Sequence, residues 1–338
     1  MRQTKWMRYI SLLALLVLLV LAPFWAPNPY YLGLITTVLI SVLLGVSAWF
    51  VLCTGQVTLG HAGFAAVGGY VSAALITVYG FSSWISIPAA VIASGLVAVV
   101  VGYVTLRITG VYFIVATVAL GEVTRIFFTL FKHPFGGVVG ILGVPPPNAI
   151  KIPGLLDLNF ATKPAFYYLT LALVVLALVV MYRVQSSQMG LVFRGIMQSD
   201  TLAENVGIDI MHYKVLAFIV GSASAGLAGA LFSFSTASML PSSFTIVQSI
   251  YYLLYVAIGG FASIAGPILG AVFITLLGEV LRPFKEYEPI VLGLLLIGAT
   301  RSLKQGLLGL VLSAKQVAMG LVKGPPETAE QPVRQEPS

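Results

Sequence analysis

Continuous apolar runs, most of them long enough to cross a lipid bilayer as a helix, follow one another along most of this 338-residue chain. A hydrocarbon core of about 30 Å requires about 20 apolar residues in helical form. The runs do not alternate every second residue, which is the pattern of a membrane barrel. Hydrophobic residues make up 59% of the chain and charged residues 9%, and a soluble protein of this size has no core able to bury so much apolar surface. The sequence therefore predicts an all-α, polytopic helical membrane protein.

The apolar pattern places ten candidate spans, from which we expect about 8–10 transmembrane helices. The third span contains five glycines between Gly55 and Gly69, so we expect part of it to be broken or re-entrant. Residues 1–25 also resemble a secretory signal, but no clear small-x-small cleavage site follows, and the prediction is a retained anchor helix within 1–32. The ten spans are 9–25, 33–53, 57–79, 85–106, 111–131, 166–182, 215–237, 247–263, 265–281 and 289–300.

Basic residues in the short loops predict the orientation of the chain. With the N-terminus inside the cell, twelve Lys and Arg residues fall on the cytoplasmic side and five on the outer side. Both termini are therefore predicted to be cytoplasmic. Residues 313–338 are predicted to form a disordered tail, since the Pro- and Glu-rich end of the chain cannot build a core. The net charge of +7 reflects the basic residues that membrane proteins keep in their cytoplasmic loops. The sequence has no basic cluster with aromatic neighbours, so it does not predict nucleic-acid binding.

The segment from Tyr182 to Lys214 is polar and amphipathic, although it lies between two apolar runs. Its charges must remain hydrated, so it lies outside the hydrocarbon and, by the charge count, in the cytoplasm. A short helix ended by Gly207 would present an apolar side formed by Ile196, Leu202 and Val206 to a soluble partner. The alternative is a solvated interhelical linker.

No motif in the chain predicts catalysis or cofactor binding. A Walker A motif, histidines at metal-ligand spacing and a G-x-S-x-G elbow are all absent from the sequence. The single cysteine, Cys53, is predicted to be a buried, inert thiol. We therefore expect that the chain is not an enzyme, and that any ATP hydrolysis occurs in another subunit.

Two groups of residues within the predicted spans are candidates for a translocation pathway or gate. Glu122 and Arg125 lie at i,i+3 spacing on one helix face, and the alternative to a pathway role is a structural ion pair. The second group, in the glycine-rich third span, offers hydrogen-bonding groups beside a helix break, with close helix packing as the alternative. Its members are Gln56, Thr58, Gly60 and His61. Small-residue runs at 221–229 and 266–270 are predicted to be packing contacts.

Six segments, taken in order, resemble the LivM-type permeases of branched-chain amino acid ABC transporters. They are GQVTLGHAGFAAVGGY, GVYFIVATVALGEVTRIFF, GGVVGILGVP, RGIMQSDTLAENVGIDIMHYKVLAF, SAGLAGALFS and GPILGAVFITLLGEVLR. The resemblance implies an ABC permease transmembrane domain over 33–312 in a bacterial inner membrane, and uptake of leucine, isoleucine and valine. It also implies several partners, namely a LivH-like permease, two ATPase subunits and a periplasmic or lipid-anchored binding protein.

The resemblance further implies that 183–214 contains the loop that couples the permease to its ATPase. The Glu-x-x-Gly spacing of that loop is matched by Glu204 and Gly207, while Ala-Glu-Asn stands where the fuller pattern has Glu-Ala-Ala. The coupling residues implied in this way are Arg194, Asp200, Ala203, Glu204 and Gly207. Two alternatives remain open: urea or a short-chain amide as the substrate, and an ion-coupled secondary carrier that needs no ATPase.

Overall fold

The computed structural model describes residues 17–25, 28–152 and 156–284, together with 290–291, 293–294, 297, 307 and 309. Residues 17–25 are helical. The start of the first predicted span, most of the tenth and the predicted tail at 313–338 lie outside the described residues. Ten further α-helices are described: α1 (Pro29–Leu52), α2 (His61–Thr77), α3 (Ser83–Thr105), α4 (Val111–Leu130), α5 (Lys163–Ser186), α6 (Gln188–Gln198), α7 (Asp200–Asn205), α8 (Ile210–Thr236), α9 (Ile246–Gly259) and α10 (Ala265–Leu281).

The prediction of an all-α, multi-pass membrane protein is confirmed. Within the described residues, seven helical segments are long and apolar enough to cross a membrane, and α2 is a shorter apolar helix. These eight segments correspond to the second to ninth predicted spans. The seven are Pro29–Leu52, Ser83–Thr105, Val111–Leu130, Lys163–Ser186, Ile210–Thr236, Pro241–Gly259 and Ala265–Phe284.

Four short strands lie in the connections between the helices, which the sequence pattern did not predict. β1 (Ile141–Leu142) pairs antiparallel with β4 (Ser238–Met239), so that Ile141 is opposite Met239. This pairing joins the α4–α5 connection to the α8–α9 connection. β2 (Ile150–Ile152) and β3 (Leu156–Leu158) form a second antiparallel pair. Both pairs consist of residues that connect the long helices, and neither pair includes a residue of a helix.

Helix α8 packs closely against α2 and α3 because it has glycine at its contact points. A Cβ added at Gly229 would lie 1.9 Å from the carbonyl oxygen of Ala65 in α2. A Cβ at Gly226 would lie 2.2 Å from Ser94 Oγ in α3. Contacts this close bring the helix backbones together and increase their dispersion contact. The prediction that the small-residue run 221–229 serves helix packing is confirmed.

The third predicted span is interrupted only at its start, and the helix that follows runs unbroken from His61 to Thr77 through Gly63, Gly68 and Gly69. Residues 53–60 are not helical, and α2 begins only at His61. Gly60 lies beside Thr117, the seventh residue of α4, so α2 begins about 9 Å further along the bundle than α4 does. A second interruption separates α9 from α10, where Trp49 Nε1 donates to the carbonyl oxygen of Phe261 at 3.0 Å.

Candidate functional site

The polar segment between α5 and α8 folds into two short helices, α6 and α7, rather than an open loop. Each helix start in this segment is capped by a side chain at the residue before it. Ser187 Oγ accepts from the amide of Met189 at 3.2 Å, and Ser199 Oγ accepts from the amide of Leu202 at 3.3 Å. Asp209 Oδ1 accepts from the amide of His212 at 3.0 Å at the start of α8. The caps satisfy backbone donors that the helices leave free, and they define where each helix begins.

Gly207 ends α7, as its position in the sequence predicts. Its φ is +82°, a left-handed conformation that residues with a Cβ adopt at a cost. The amide of Gly207 donates to the carbonyl of Glu204 at 2.9 Å, and the amide of Ile208 donates to the carbonyl of Ala203 at 3.2 Å. These bonds close the C-terminus of the helix and turn the chain toward α8. No atom outside the local chain lies within 4 Å of a Cβ added at Gly207, so the backbone angle alone requires glycine.

The outer surface of α6 and α7 carries both apolar and charged side chains. Leu202 is 68% exposed and Val206 is 75% exposed, and Leu191 and Met197 also face outward. Three of the predicted coupling residues share this exposure: Arg194, Glu204 and Gly207. Outside the hydrocarbon, an apolar surface of this kind beside charged groups is typical of a protein interface.

Two other predicted residues of this segment face the opposite way. Ile196 is 2% exposed and Ala203 is 5% exposed, because both lie on the helix sides that pack against the bundle. The prediction that Ile196 belongs to the exposed apolar side with Leu202 and Val206 is therefore wrong. Phe193 holds α6 in place from the same buried side, since its ring stacks edge to face on Phe50 of α1 at 5.8 Å.

Asp200 and Lys214 form an ion pair that joins α7 to α8. Lys214 Nζ lies 2.5 Å from Asp200 Oδ2, and the Lys214 side chain is 3% exposed. A cavity of about 440 Å³ adjoins the pair, between α7, the start of α8 and the α3–α4 connection. Both signs of charge line it, including Arg107, Glu204 and Asp209. The fourteen-residue separation of Asp200 and Lys214 has no helical period, so the sequence pattern did not indicate this contact.

The candidate residues at the α1–α2 break are buried inside this chain. Gln56, Thr58 and His61 are 6%, 5% and 1% exposed, respectively. One ring nitrogen of His61 and two neighbouring backbone amides bond to adjacent helices, whereas His61 Nδ1 is buried without a hydrogen-bond partner in the described part of the chain. His61 Nε2 lies 2.7 Å from Ser47 Oγ, the amide of Ala62 donates to Ser249 Oγ at 3.0 Å, and the amide of Leu59 donates to Thr117 Oγ1 at 3.2 Å. Within the described part of the chain these contacts favour the close-packing interpretation.

Glu122 and Arg125 lie together on a face of α4 that the rest of the described chain leaves open. Arg125 Nε donates to Glu122 Oε1 and Oε2 at 2.9 and 3.0 Å, and Arg125 Nη2 donates to Oε1 as well. Their side chains are 43% and 30% exposed, Glu122 being the more exposed. Glu122 lies about 16 Å along a helix about 30 Å long, which places the pair near its middle. The predicted pathway residues thus fall into a buried group at the break and an exposed pair on α4.

Sequence comparisons give the chain a set of relatives. Residues 30–300 match the family model described as "Branched-chain amino acid transport system / permease component". The high-affinity branched-chain amino acid permease protein LivM of Salmonella typhimurium is 30% identical over 333 residues, or 93% of this chain and 78% of that protein. Its Escherichia coli counterpart is 29% identical with the same coverage. A probable LivH permease of Methanocaldococcus jannaschii is 22% identical over 246 residues, or 71% of this chain and 75% of that protein. No solved structure matches the chain.

Proposed function

Because the chain belongs to the family of branched-chain amino acid transport permease components, we propose that it is the membrane permease of an ATP-driven importer of leucine, isoleucine and valine. The observation that carries this proposal is the match to LivM permeases across 93% of the chain, which includes both the broken-helix region and the coupling segment. The chain is a multi-pass membrane transport subunit, and ATP hydrolysis is assigned to separate subunits.

The partners follow from the same relationship. One is a second, LivH-like permease subunit, and the others are two ATPase subunits and a substrate-binding protein outside the cell membrane. The coupling segment faces the cytoplasm in this proposal, in agreement with the excess of basic residues there. Residues 33–312 form the permease domain, which is preceded by an anchor helix within 1–32 and followed by a cytoplasmic tail. Selectivity resides largely in the binding protein.

The exposed surface of α6 and α7 is the proposed ATPase contact. Leu202 and Val206 would enter an apolar groove of the ATPase, while Arg194 and Glu204 would set the register through charge pairs. The exposure of these four residues supports this assignment. Ala203 is buried, so it would hold α7 against the bundle rather than contact the ATPase itself. Movement of the ATPase on binding nucleotide would then displace α6 and α7 relative to the bundle.

The second permease subunit is the proposed neighbour of α4. An ion pair at mid-depth is expensive to expose to lipid, and such groups usually face protein or a water-filled path. The Glu122–Arg125 pair is exposed on α4, so a protein surface or a hydrated pathway at this face would relieve that cost. A pathway shared between two permeases would pass along this face and carry a zwitterionic amino acid past paired charges of both signs. The buried residues at the break would contact α4 on the side that faces the bundle, as Leu59 and Gly60 do at Thr117.

Transport by the reconstituted complex tests the proposal. Proteoliposomes that contain the chain with its second permease, ATPase and binding protein should take up leucine, isoleucine and valine only when ATP is hydrolysed. An ATPase variant unable to hydrolyse ATP is the control. Uptake of urea or acetamide in preference to the three amino acids would overturn the substrate assignment. Uptake by the chain alone, driven by a proton or sodium gradient, would overturn the ATP-driven mechanism.

A further inference from the structure

Among the Lys, Arg, Asp and Glu residues whose side chains the structure describes, Lys214 is the one that is buried. It is the fifth residue of α8, and it is 3% exposed against 41% for its partner Asp200. A buried ammonium group requires a counter-charge, because removing the partner leaves an unpaired charge in a medium that solvates it poorly. The position of Lys214 is thus tied to that of Asp200.

Helix α7 depends on this contact for its position. It has six residues, too few for an isolated helix to be stable in water, and Ala203 is its only buried residue. Asp200 lies at the first position of α7, where a negative charge also favours the helix dipole. The ion pair is a charged contact that joins α7 directly to α8. Displacing α7 as a unit would either carry Lys214 along or leave it without a partner.

Helix α8 in turn connects the ion pair to the centre of the bundle. Its glycines lie against backbone or side-chain atoms of α1, α2 and α3, as seen at Gly221, Gly226 and Gly229. Interfaces this close do not deform continuously, so a displacement of one end of α8 is transmitted along it. The cavity beside Asp200 and Lys214 leaves space into which the α7 end can move.

We propose that the Asp200–Lys214 ion pair is the positioning link through which movement of the coupling helices reaches α8. This inference rests on the proposed function, since it assumes an ATPase that moves α6 and α7. In it, Lys214 and Asp200 contact neither the substrate nor ATP. They maintain the distance between α7 and α8 while the coupling segment moves, so that ATPase closure is converted into rotation or displacement of the transmembrane helices rather than lost in local flexing of α7.

The test compares coupling with assembly in the full reconstituted complex. Asp200→Asn strands a buried lysine and is expected to reduce assembly. The double variant D200N/K214M removes both charges and retains an unbranched apolar chain at 214, so a merely structural role predicts full recovery. We expect instead that the double variant assembles and hydrolyses ATP but moves about tenfold less leucine per ATP, which is within the usual range of coupling between sites.

Two further variants and one control complete the experiment. Lys214→Arg keeps the pair and should retain transport per ATP within about twofold. Arg282→Met removes an ion-paired cation at the opposite end of the described bundle and should leave the ratio unchanged. The inference is overturned if the double variant transports normally per ATP, or if it fails to assemble with the ATPase. Failure of the unmodified chain to assemble or to import leucine would instead overturn the proposed function, and the inference with it.

Discussion

Replacing Gly60 with alanine tests the contact between the α1–α2 break and α4. A Cβ at Gly60 would lie 2.2 Å from the carbonyl oxygen of Thr117 and 3.0 Å from its carbonyl carbon. Both are main-chain atoms of α4, so no side-chain rotation can relieve the overlap. Ordinary contact begins near 3.4 Å. The break and α4 must therefore separate by about 1 Å, or α2 must tilt, and either change removes contacts on both sides.

Three glycines of this bundle give a graded series for the same substitution. Gly60→Ala should destabilise by about 3 kcal/mol, the upper end of ordinary overpacking. A Cβ at Gly121 would lie 3.2 Å from Gly60 Cα, so Gly121→Ala should cost about 1 kcal/mol. Gly33 lies in α1 with nothing within 4 Å of its added Cβ. Gly33→Ala should be neutral or stabilising by up to about 1 kcal/mol, because alanine favours the helix.

Thermal unfolding of the detergent-purified chain, followed by size-exclusion chromatography after heating, measures this order. Gly60→Ala should lower the apparent melting temperature by about 5 °C, with Gly121→Ala between it and the parent. Gly33→Ala serves as the control for the substitution itself. A Gly60→Ala chain as stable as Gly33→Ala would refute the reasoning, since it would mean that the two backbones are not in contact. Transport should decline in the same order, because α4 moves away from the break.

Three further predictions concern α4 and the segment between α5 and α8. Gly207→Ala should cost about 1–2 kcal/mol of local stability through its positive φ and reduce ATPase co-purification, whereas Gly195→Ala, with no atom near its added Cβ, should not. Phe193→Ala removes a fully buried ring and should lower the free energy of unfolding by about 3–5 kcal/mol, as measured by denaturant or thermal unfolding. An unchanged free energy of unfolding would show that Phe193 does not anchor α6 to the bundle. Arg125→Met should reduce membrane-inserted protein because Glu122 is left unpaired, and the added change Glu122→Gln should restore the yield; a yield that stays low in the double variant would contradict the ion-pair explanation.

Much of the fold could be predicted because a bilayer imposes strong local rules. An apolar run of about 20 residues must be helical throughout to satisfy its own backbone. The second to ninth predicted spans therefore correspond to described helical segments, with only their ends moved by a few residues. Gly207 was predicted to end α7 for a similarly local reason, since glycine readily adopts the left-handed conformation with which many helices end.

Contacts between distant residues could not be predicted in this way. Ile196 was placed on the exposed apolar side with Leu202 and Val206, yet it is buried. Amphipathic periodicity identifies an apolar side but does not say whether that side meets the bundle or a partner. The break residues likewise offered polar groups in the sequence, and only the fold shows that the His61 ring and the backbone amides of Leu59 and Ala62 bond to α1, α4 and α9.

The sequence by itself determined that this chain is a multi-pass helical membrane protein with a polar segment between its apolar runs, because hydration and backbone satisfaction act on consecutive residues. Tertiary structure alone decided which side chains meet. It brought Asp200 to Lys214 across two helices, placed Gly60 against the backbone of Thr117, and left the Glu122–Arg125 pair on an open face. Such pairings depend on how the helices pack against one another. Packing depends on side-chain shapes and on distances between residues far apart in the chain, which the periodicity of the sequence does not contain.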